Sequence, residues 1–436
     1  MIIDFTVENY GPFRDRNTLS LIAAPNRGKT DQELERANVI PINDRLSLLR
    51  AAAIYGPNAS GKSRLIEAFS DFREAILASS DSDFHFEMYP FQLNTSSMEK
   101  PVVLELRFLL EGIPYRYGFS VREETVAGEW LYVSRSAWET TLFEREGNAL
   151  ERNRNFREGT AFLEGNTLTN PEALFLTQCS KSRGGELSKT IVTFMRERTD
   201  AISGLHEEGL RRFTIESLEK GHYRQEILKL IKEADVGISN LRLAEEDEAK
   251  NLLDNVKRAE NQGEQIISDL RLQAEHPVFD AGNKQIGKME FPFALAESQG
   301  TQKLFAFAGP ILDTLHKGNT LFVDEIDAKL HPLLTRAIIS LFQSEETNPH
   351  GAQLVFVTHD TNLLHSNPFR RDQIWFTEKD RYGASQLYSL AEFKKTERKG
   401  ADLERDYMDG RFGAVPFLGD WSRLLEETPT KSEDSN

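Results

Sequence analysis

The sequence predicts an α/β fold, with an antiparallel β-subdomain beside a glycine-rich loop and a helical insertion in mid-chain. Three observations carry the prediction. Gly56-Pro57-Asn58-Ala59-Ser60-Gly61-Lys62-Ser63 fits the pattern GxxxxGK(S/T), between an apolar run Ala51 to Tyr55 and a helix-like run Ser63 to Phe69. Far downstream, Asn319-Thr320-Leu321-Phe322-Val323-Asp324-Glu325 is an apolar strand that ends in two carboxylates. Gln353-Leu354-Val355-Phe356-Val357-Thr358-His359-Asp360 is another apolar strand, ending in a histidine.

Along the chain, Ile2 to Tyr10 alternates like a half-buried strand, and Gly11-Pro12 then marks a turn before a second apolar patch at Leu19 to Ala24. Val102 to Leu110 and Tyr115 to Val121 are β-type runs around Glu111-Gly112-Ile113-Pro114, which reads as a hairpin. The Ser/Asp-rich Ala78 to Asp83 reads as a surface loop and a poor metal site. From Gly204 to Glu275 apolar residues group at helical spacing, as in Ile227, Leu228, Leu230, Ile231 and again in Leu252, Leu253, Val256, Ile266, Ile267, Leu270. Gly221, Gly237 and Gly263 interrupt these runs and no heptad is sustained, so a long coiled-coil arm is not expected. Glu245-Glu246-Asp247-Glu248 reads as a solvated face, and Glu426 to Asn436 as a disordered tail. The expected division is an N-terminal lobe over 1–125, an inserted region over 126–290 that is largely helical from 204, a C-terminal lobe over 291–390, and an extension and tail over 391–436.

Composition narrows the function. The single cysteine, Cys179, excludes a disulfide framework and a Cys-based zinc site and fits a reducing cytosol. No eighteen-residue apolar stretch is present, and the strand-like N-terminus does not resemble a leader, so a soluble cytoplasmic protein is expected. A net charge of −16 argues against a surface that coats nucleic acid, although a local basic groove would still permit DNA contact. No GxSxG, HExxH or zinc-type spacing offers a second active site.

The motifs themselves point to phosphate chemistry. Glycines at 56 and 61 let backbone N–H groups wrap a triphosphate, Lys62 reaches the β and γ oxygens, and the Ser63 hydroxyl can ligate Mg²⁺. ATP or GTP is the expected ligand. In a Walker B arrangement Asp324 would hold the Mg²⁺ and Glu325 would orient and deprotonate the attacking water, because phosphoryl transfer needs positioning and charge compensation. A buried strand with a polar, capping end is the plainer alternative, and the loop at 56–63 weighs against it.

These elements recur in the order and spacing of the ABC ATPases, and the chain resembles the ABC-type ATPase heads of the SMC and RecF kind. The resemblance implies that His359 is a switch histidine that hydrogen-bonds the γ-phosphate. It also makes Ala296-Glu297-Ser298-Gln299-Gly300-Thr301-Gln302-Lys303 a divergent signature, with Ser298 and Gly300 in place of the family serine and second glycine, and Gln299 departing from the first glycine. Leu304, Phe307, Ala308, Ile311, Leu312 and Leu315 mark one face of the following helix, so Ser298 and Gly300 fall at its N-terminus, an anion site or simply a capped core helix. The signature of such heads closes on the nucleotide of the opposite subunit, which implies an ATP-sandwiched dimer.

Ile326-Asp327-Ala328-Lys329-Leu330-His331-Pro332 resembles the D-loop that crosses that interface, with Asp327 the residue carried over. Its Leu330-His331-Pro332 form, the opening Phe5 to Phe13 and the stretch Asp406 to Pro416 resemble the AAA-type ATPases of bacterial abortive-infection systems, of the RloA and AbiL kind. Both Gln92 and Gln178 are candidates for the Q-loop residue. The resemblance implies an anti-phage ATPase with ATP and Mg²⁺ as ligands, a homodimer or higher oligomer, and a separately encoded effector, a nuclease or toxin. Little chain follows His359 for a fused Toprim nuclease, and Asp81-Ser82-Asp83 lies outside the context of one. A RecF-type DNA-repair ATPase and a slowly hydrolysing ATP-bound scaffold are the competing expectations.

Overall fold

The structure, a computed structural model, describes residues 1–25, 32–135, 138–154, 156–159, 170, 172–205, 207–234, 237–245, 247–248, 270–365, 368–393 and 402–416. In chain order the strands are β1 (Ile2–Glu8), β2 (Asn17–Ser20), β3 (Val39–Asn43), β4 (Leu46–Leu49), β5 (Ala51–Tyr55), β6 (Val102–Leu110), β7 (Ile113–Arg122), β8 (Thr125–Val133), β9 (Thr140–Glu146) and β10 (Ala149–Arg152). They continue with β11 (Thr199–Ser203), β12 (Asn240–Leu243), β13 (Leu272–Phe279), β14 (Gln285–Pro292), β15 (Thr320–Asp324), β16 (Gln353–Val357), β17 (Ile374–Lys379) and β18 (Ser385–Ser389).

Two large sheets sandwich the helix that follows the phosphate loop. One is antiparallel and seven-stranded, in the order β10-β9-β8-β7-β6-β1-β2; the other has six strands in the order β11-β15-β16-β5-β17-β18. In the second, β11, β15, β16, β5 and β17 run parallel and β18 turns back antiparallel. Every residue of β5 is buried, as a central parallel strand covered on both faces requires. The helix Lys62–Ala78 presents Leu65, Ile66, Phe69, Phe72 and Ile76 at helical spacing. Phe69 stacks on Phe322 of β15 at 3.8 Å and meets Phe5 of β1 edge-on at 5.4 Å, while Phe72 stacks on Phe119 of β7 at 5.4 Å. One helix therefore fastens both sheets.

The hairpin between β6 and β7 turns on Glu111 and Gly112 alone, with φ of 51° and 77°. Two residues in left-handed conformations suffice to reverse a twisted ladder, so Ile113 and Pro114 lie in β7 rather than in the loop expected for them. The antiparallel sheet continues past residue 125 through β8, β9 and β10, so the boundary expected at 125/126 falls within a paired ladder.

After residue 204 the described chain forms the helices Glu207–Glu219 and Arg224–Glu233. Asn240–Leu243, Leu272–Phe279 and Gln285–Pro292 form the three-stranded sheet β12-β13-β14, which corrects the helical expectation at those residues. The physical reason is a change of period: apolar Leu272 and Ala274 flank polar Gln273 and pair with Leu243 and Leu241 of β12, a two-residue alternation of residue type rather than a helical one. The apolar residues Leu252, Leu253, Val256, Ile266 and Ile267, and the polar tail from Glu426, lie outside the described residues. Glu245 and Glu248 are exposed, and Glu248 pairs with Arg242 at 2.9 Å.

The other face of the parallel sheet carries the helix Gln299–Lys317, capped by Ser298 at its start and by Gly318, φ 67°, at its end. Pro310 lies inside it and cannot donate to the carbonyl of Ala306. The hydroxyl of Thr214, shared with the Leu210 carbonyl of its own helix, reaches the Ala306 carbonyl at 3.0 Å and accepts the Gly309 N–H at 3.1 Å, so a neighbouring helix fills the gap. The segment 402–416 closes the end of the core. Tyr407 stacks on Phe376 of β17 at 5.5 Å and lies edge-on to Tyr55 of β5 at 5.9 Å, and Phe412 stacks on Phe376 at 5.7 Å. Among the described residues no helix is long and apolar enough to cross a membrane.

Candidate nucleotide site

The loop Gly56–Ser63 leaves the C-terminal end of the central strand and opens the helix Lys62–Ala78, which aims the first free N–H groups of the helix into its concavity. Gly56 has φ 153° and Gly61 φ 108°. A Cβ on Gly56 would stand 2.4 Å from the Thr377 carbonyl oxygen, and one on Gly61 would stand 2.9 Å from Ser385 Oγ. Both positions therefore demand glycine. Ser60 Oγ lies 2.6 Å from Thr377 Oγ1, and Ser385 Oγ donates to the Ser60 carbonyl at 2.7 Å. The β17–β18 hairpin thus braces the loop from behind, whereas Pro57, Asn58 and Ala59 form its open rim.

Lys62 is buried, and its Nζ donates to the carbonyls of Gly56 at 2.9 Å and Pro57 at 3.0 Å. Burial lowers its pKa, while Asp324, Glu325 and Asp327 pull it back up. The Ser63 hydroxyl donates to Asp324 Oδ1 at 3.1 Å. Desolvation raises the Asp324 carboxyl, against the Ser63 hydrogen bond and the Lys62 charge. A hydroxyl and a carboxylate in contact, with a lysine and a nest of backbone N–H groups beside them, are the donor set that a Mg²⁺-nucleotide needs. The residues fit that ligand.

β15 and β16 lie side by side next to β5, and so deliver the other expected residues to the same edge of the sheet. Glu325 follows Asp324 with φ 51°, where the chain leaves β15. Asp327 Oδ2 accepts the backbone N–H of His359 at 3.2 Å, and Oδ1 is buried without a hydrogen-bond partner. His359 has its pKa lowered, by desolvation first and then by the Lys62 charge. Partial desolvation and the nearby Lys62 cation both disfavour the imidazolium of this exposed side chain.

Ser298 and Gly300 are placed differently. Ser298 caps its helix, accepting the Thr301 N–H at 3.2 Å, and Gly300 abuts the turn after Glu325, where a Cβ would come within 2.9 Å of the Lys329 carbonyl oxygen. Among the described residues no hydrogen bond joins either of them to the loop 56–63 of its own chain. Of the two glutamines, Gln92 lines a cavity with Gly11, Pro12 and Arg64, next to the first turn of the phosphate-loop helix. Gln178 sits at the far end of that helix, where its neighbour Thr177 donates to the Ile76 carbonyl; Ile76 and Lys62 are about 20 Å apart along the helix. His365 lies apart from the loop, its Nδ1 3.8 Å from Asp402 and 3.6 Å from Glu404. Asp81 is exposed and pairs with Lys181 at 2.6 Å.

Sequence reasoning missed Thr377, Ser385, Gly204 and Lys303. The apolar run Ile374-Trp375-Phe376 signals a strand, but nothing in it marks Thr377 as a neighbour of residue 56. Gly204 donates its N–H to the Asp324 carbonyl at 2.7 Å, and Lys303 contacts the Glu325 carbonyl, relations carried by tertiary packing alone.

A glycine-rich loop on a central parallel strand, with a histidine after the neighbouring strand and paired carboxylates at the end of the strand beyond it, defines a P-loop NTPase site of the AAA kind. The chain belongs to the family described as "AAA domain, putative AbiEii toxin, Type IV TA system", whose model matches residues 51–365. Among solved structures it is similar to the SMC head domain from Thermotoga maritima, at 13% identity and a TM-score of 0.38, over 89% of this chain and 98% of that one. No curated protein matches the sequence.

Proposed function

We propose that this protein binds and hydrolyses ATP between two copies of itself, and uses the cycle to regulate or scaffold a separately encoded effector, a nuclease or toxin, in anti-phage defence of the RloA and AbiL kind. The observation that carries the reading is the 3.1 Å contact of Ser63 with Asp324, which closes the phosphate loop and the carboxylate strand into one site beside Lys62. Ser63 and Asp324 would hold Mg²⁺, which supplies charge neutralisation on the phosphates. The N–H groups of Gly56–Gly61 and the Lys62 ammonium bind the phosphate oxygens. Glu325 orients the attacking water and takes its proton, and His359 donates to the γ-phosphate.

The placement of Ser298 and Gly300 supports a second subunit. Ser298 caps the helix and Gly300 lies in its first turn against Lys329, and among the described residues neither makes a hydrogen bond to the loop of its own chain, so this helix N-terminus is available to the nucleotide of a partner copy. Asp327, the D-loop residue, accepts the His359 backbone N–H. The family description, a putative toxin of a type IV toxin–antitoxin system, favours a role beside a second gene product, and the single buried cysteine favours a cytoplasmic setting.

Phosphate release tests the chemistry: Lys62→Ala and Glu325→Gln should both abolish turnover, with only Glu325→Gln still binding ATP. Affinity purification of Glu325→Gln with ATP, from cells that carry the neighbouring genes, tests the partner. A stoichiometric protein partner supports the defence reading, and DNA without such a protein contradicts it.

A further inference from the structure

Lysine is almost never fully buried unless it is paired, yet Lys303 is, on the second turn of the helix that Ser298 caps. Its Nζ donates to the carbonyl oxygen of Glu325 at 3.1 Å and stands 4.9 Å from the centre of the Phe307 ring. Glu207, Asp327 and Glu325 surround the charge, with Lys329 opposing them; burial is the dominant effect and brings the ammonium down to a pKa of about 8. The carbonyl it holds is pinned from other directions too. A Cβ on Gly204 would stand 2.1 Å from that oxygen and 2.8 Å from Lys303 Nζ, and the Ala328 N–H donates to it at 3.2 Å.

Glu325 itself adopts φ 51°, a conformation an L-residue keeps only when its surroundings enforce it. We propose that Lys303 is a positioning residue: it ties the helix begun by Ser298 and Gly300 to the Glu325 backbone, and so holds the left-handed turn that aims the Glu325 carboxylate. The proposal rests on the reading of Glu325 as the group that activates water. Its consequence is mechanical. A displacement of the Ser298 end of the helix, on meeting the nucleotide of a partner subunit, reaches the carboxylate through one buried side chain. Gly300 against the Lys329 carbonyl gives the same two segments a second contact.

The test uses the full chain and the variants Lys303→Met, Lys303→Arg, Gly204→Ala and Glu325→Gln. Steady-state phosphate release gives kcat and KM, and titration with a fluorescent ATP analogue gives the nucleotide Kd. Misaimed catalytic groups cost on the order of ten- to a hundredfold, so Lys303→Met should lose about that much kcat with KM and Kd within about twofold of wild type. Lys303→Arg, which keeps a donor, should retain more activity than Lys303→Met. Gly204→Ala presses on the same oxygen and should also lose kcat alone. Wild-type kcat in Lys303→Met beside an inactive Glu325→Gln would overturn the proposal, as would equal losses in Lys303→Met and Lys303→Arg, or losses in which Kd weakens with kcat. Wild-type turnover by Glu325→Gln would instead overturn the reading of the base.

Discussion

Replacing Thr214 with valine removes a hydroxyl from a fully buried contact and leaves the shape almost unchanged. Pro310 supplies no N–H for the Ala306 carbonyl, and Thr214 Oγ1 stands 3.0 Å from that oxygen and 3.1 Å from the Gly309 nitrogen. Without the hydroxyl the Ala306 carbonyl is buried unpaired, at a cost of about 1–3 kcal/mol, and the weakened Gly309 bond adds about 0.5–1 kcal/mol. A loss of roughly 2–3 kcal/mol is therefore expected. Thr214→Ser keeps the hydroxyl and loses only a methyl group, about 1 kcal/mol. Urea unfolding of the two variants separates the effects. At an m of about 3 kcal/mol/M, the valine variant should unfold at a midpoint lower than wild type by somewhat under 1 M, with m unchanged and the serine variant in between. A valine variant as stable as the serine variant would refute the argument that Thr214 satisfies the proline gap.

Two further outcomes follow from the site and its helix. Wild-type protein at an ATP-Mg²⁺ concentration of about 100 Kd should gain about 2.7 kcal/mol of stability, and Lys62→Ala should gain none in the same melting experiment. Burial pushes the Asp71 carboxyl up to about 6, against its hydrogen bond from Tyr10 at 2.7 Å. Between about pH 4 and 6 the folded chain keeps a proton that the unfolded chain has lost, so stability falls as pH rises through that window and stays lower above it. Asp71→Asn still accepts from Tyr10 and should remove the loss, gaining on the order of 1–2 kcal/mol on wild type between pH 4 and pH 7; an equal difference at both pH values would refute it.

How much was legible from sequence depends on whether the chemistry is contiguous. Gly56–Ser63, Asp324-Glu325 and His359 each follow an apolar run that β5, β15 and β16 realise, because a buried parallel strand needs such a run and its end is where a polar residue meets solvent. What was not legible acts across the fold. Thr377 and Ser385 brace the loop from more than three hundred residues away, and Lys303 and Gly204 meet at the Glu325 carbonyl. Residues 240–243 and 272–292 misled for another reason. Short apolar runs do not separate helix from strand, and only the pairing of Ala274 with Leu241 and Phe291 decides it. The tail Asp406 to Pro416 was recognisable as a motif, but its packing of Tyr407 and Phe412 on Phe376 required the sheet.

The most direct test of the central claim is the mass of the Glu325→Gln protein by light scattering, with and without ATP and Mg²⁺. Two copies closed over nucleotide that they cannot hydrolyse should give twice the monomer mass with ATP-Mg²⁺ and the monomer mass without it, and adding Ser298→Ala should weaken the dimer. A Glu325→Gln protein that binds ATP yet stays a monomer at saturating nucleotide would contradict the account.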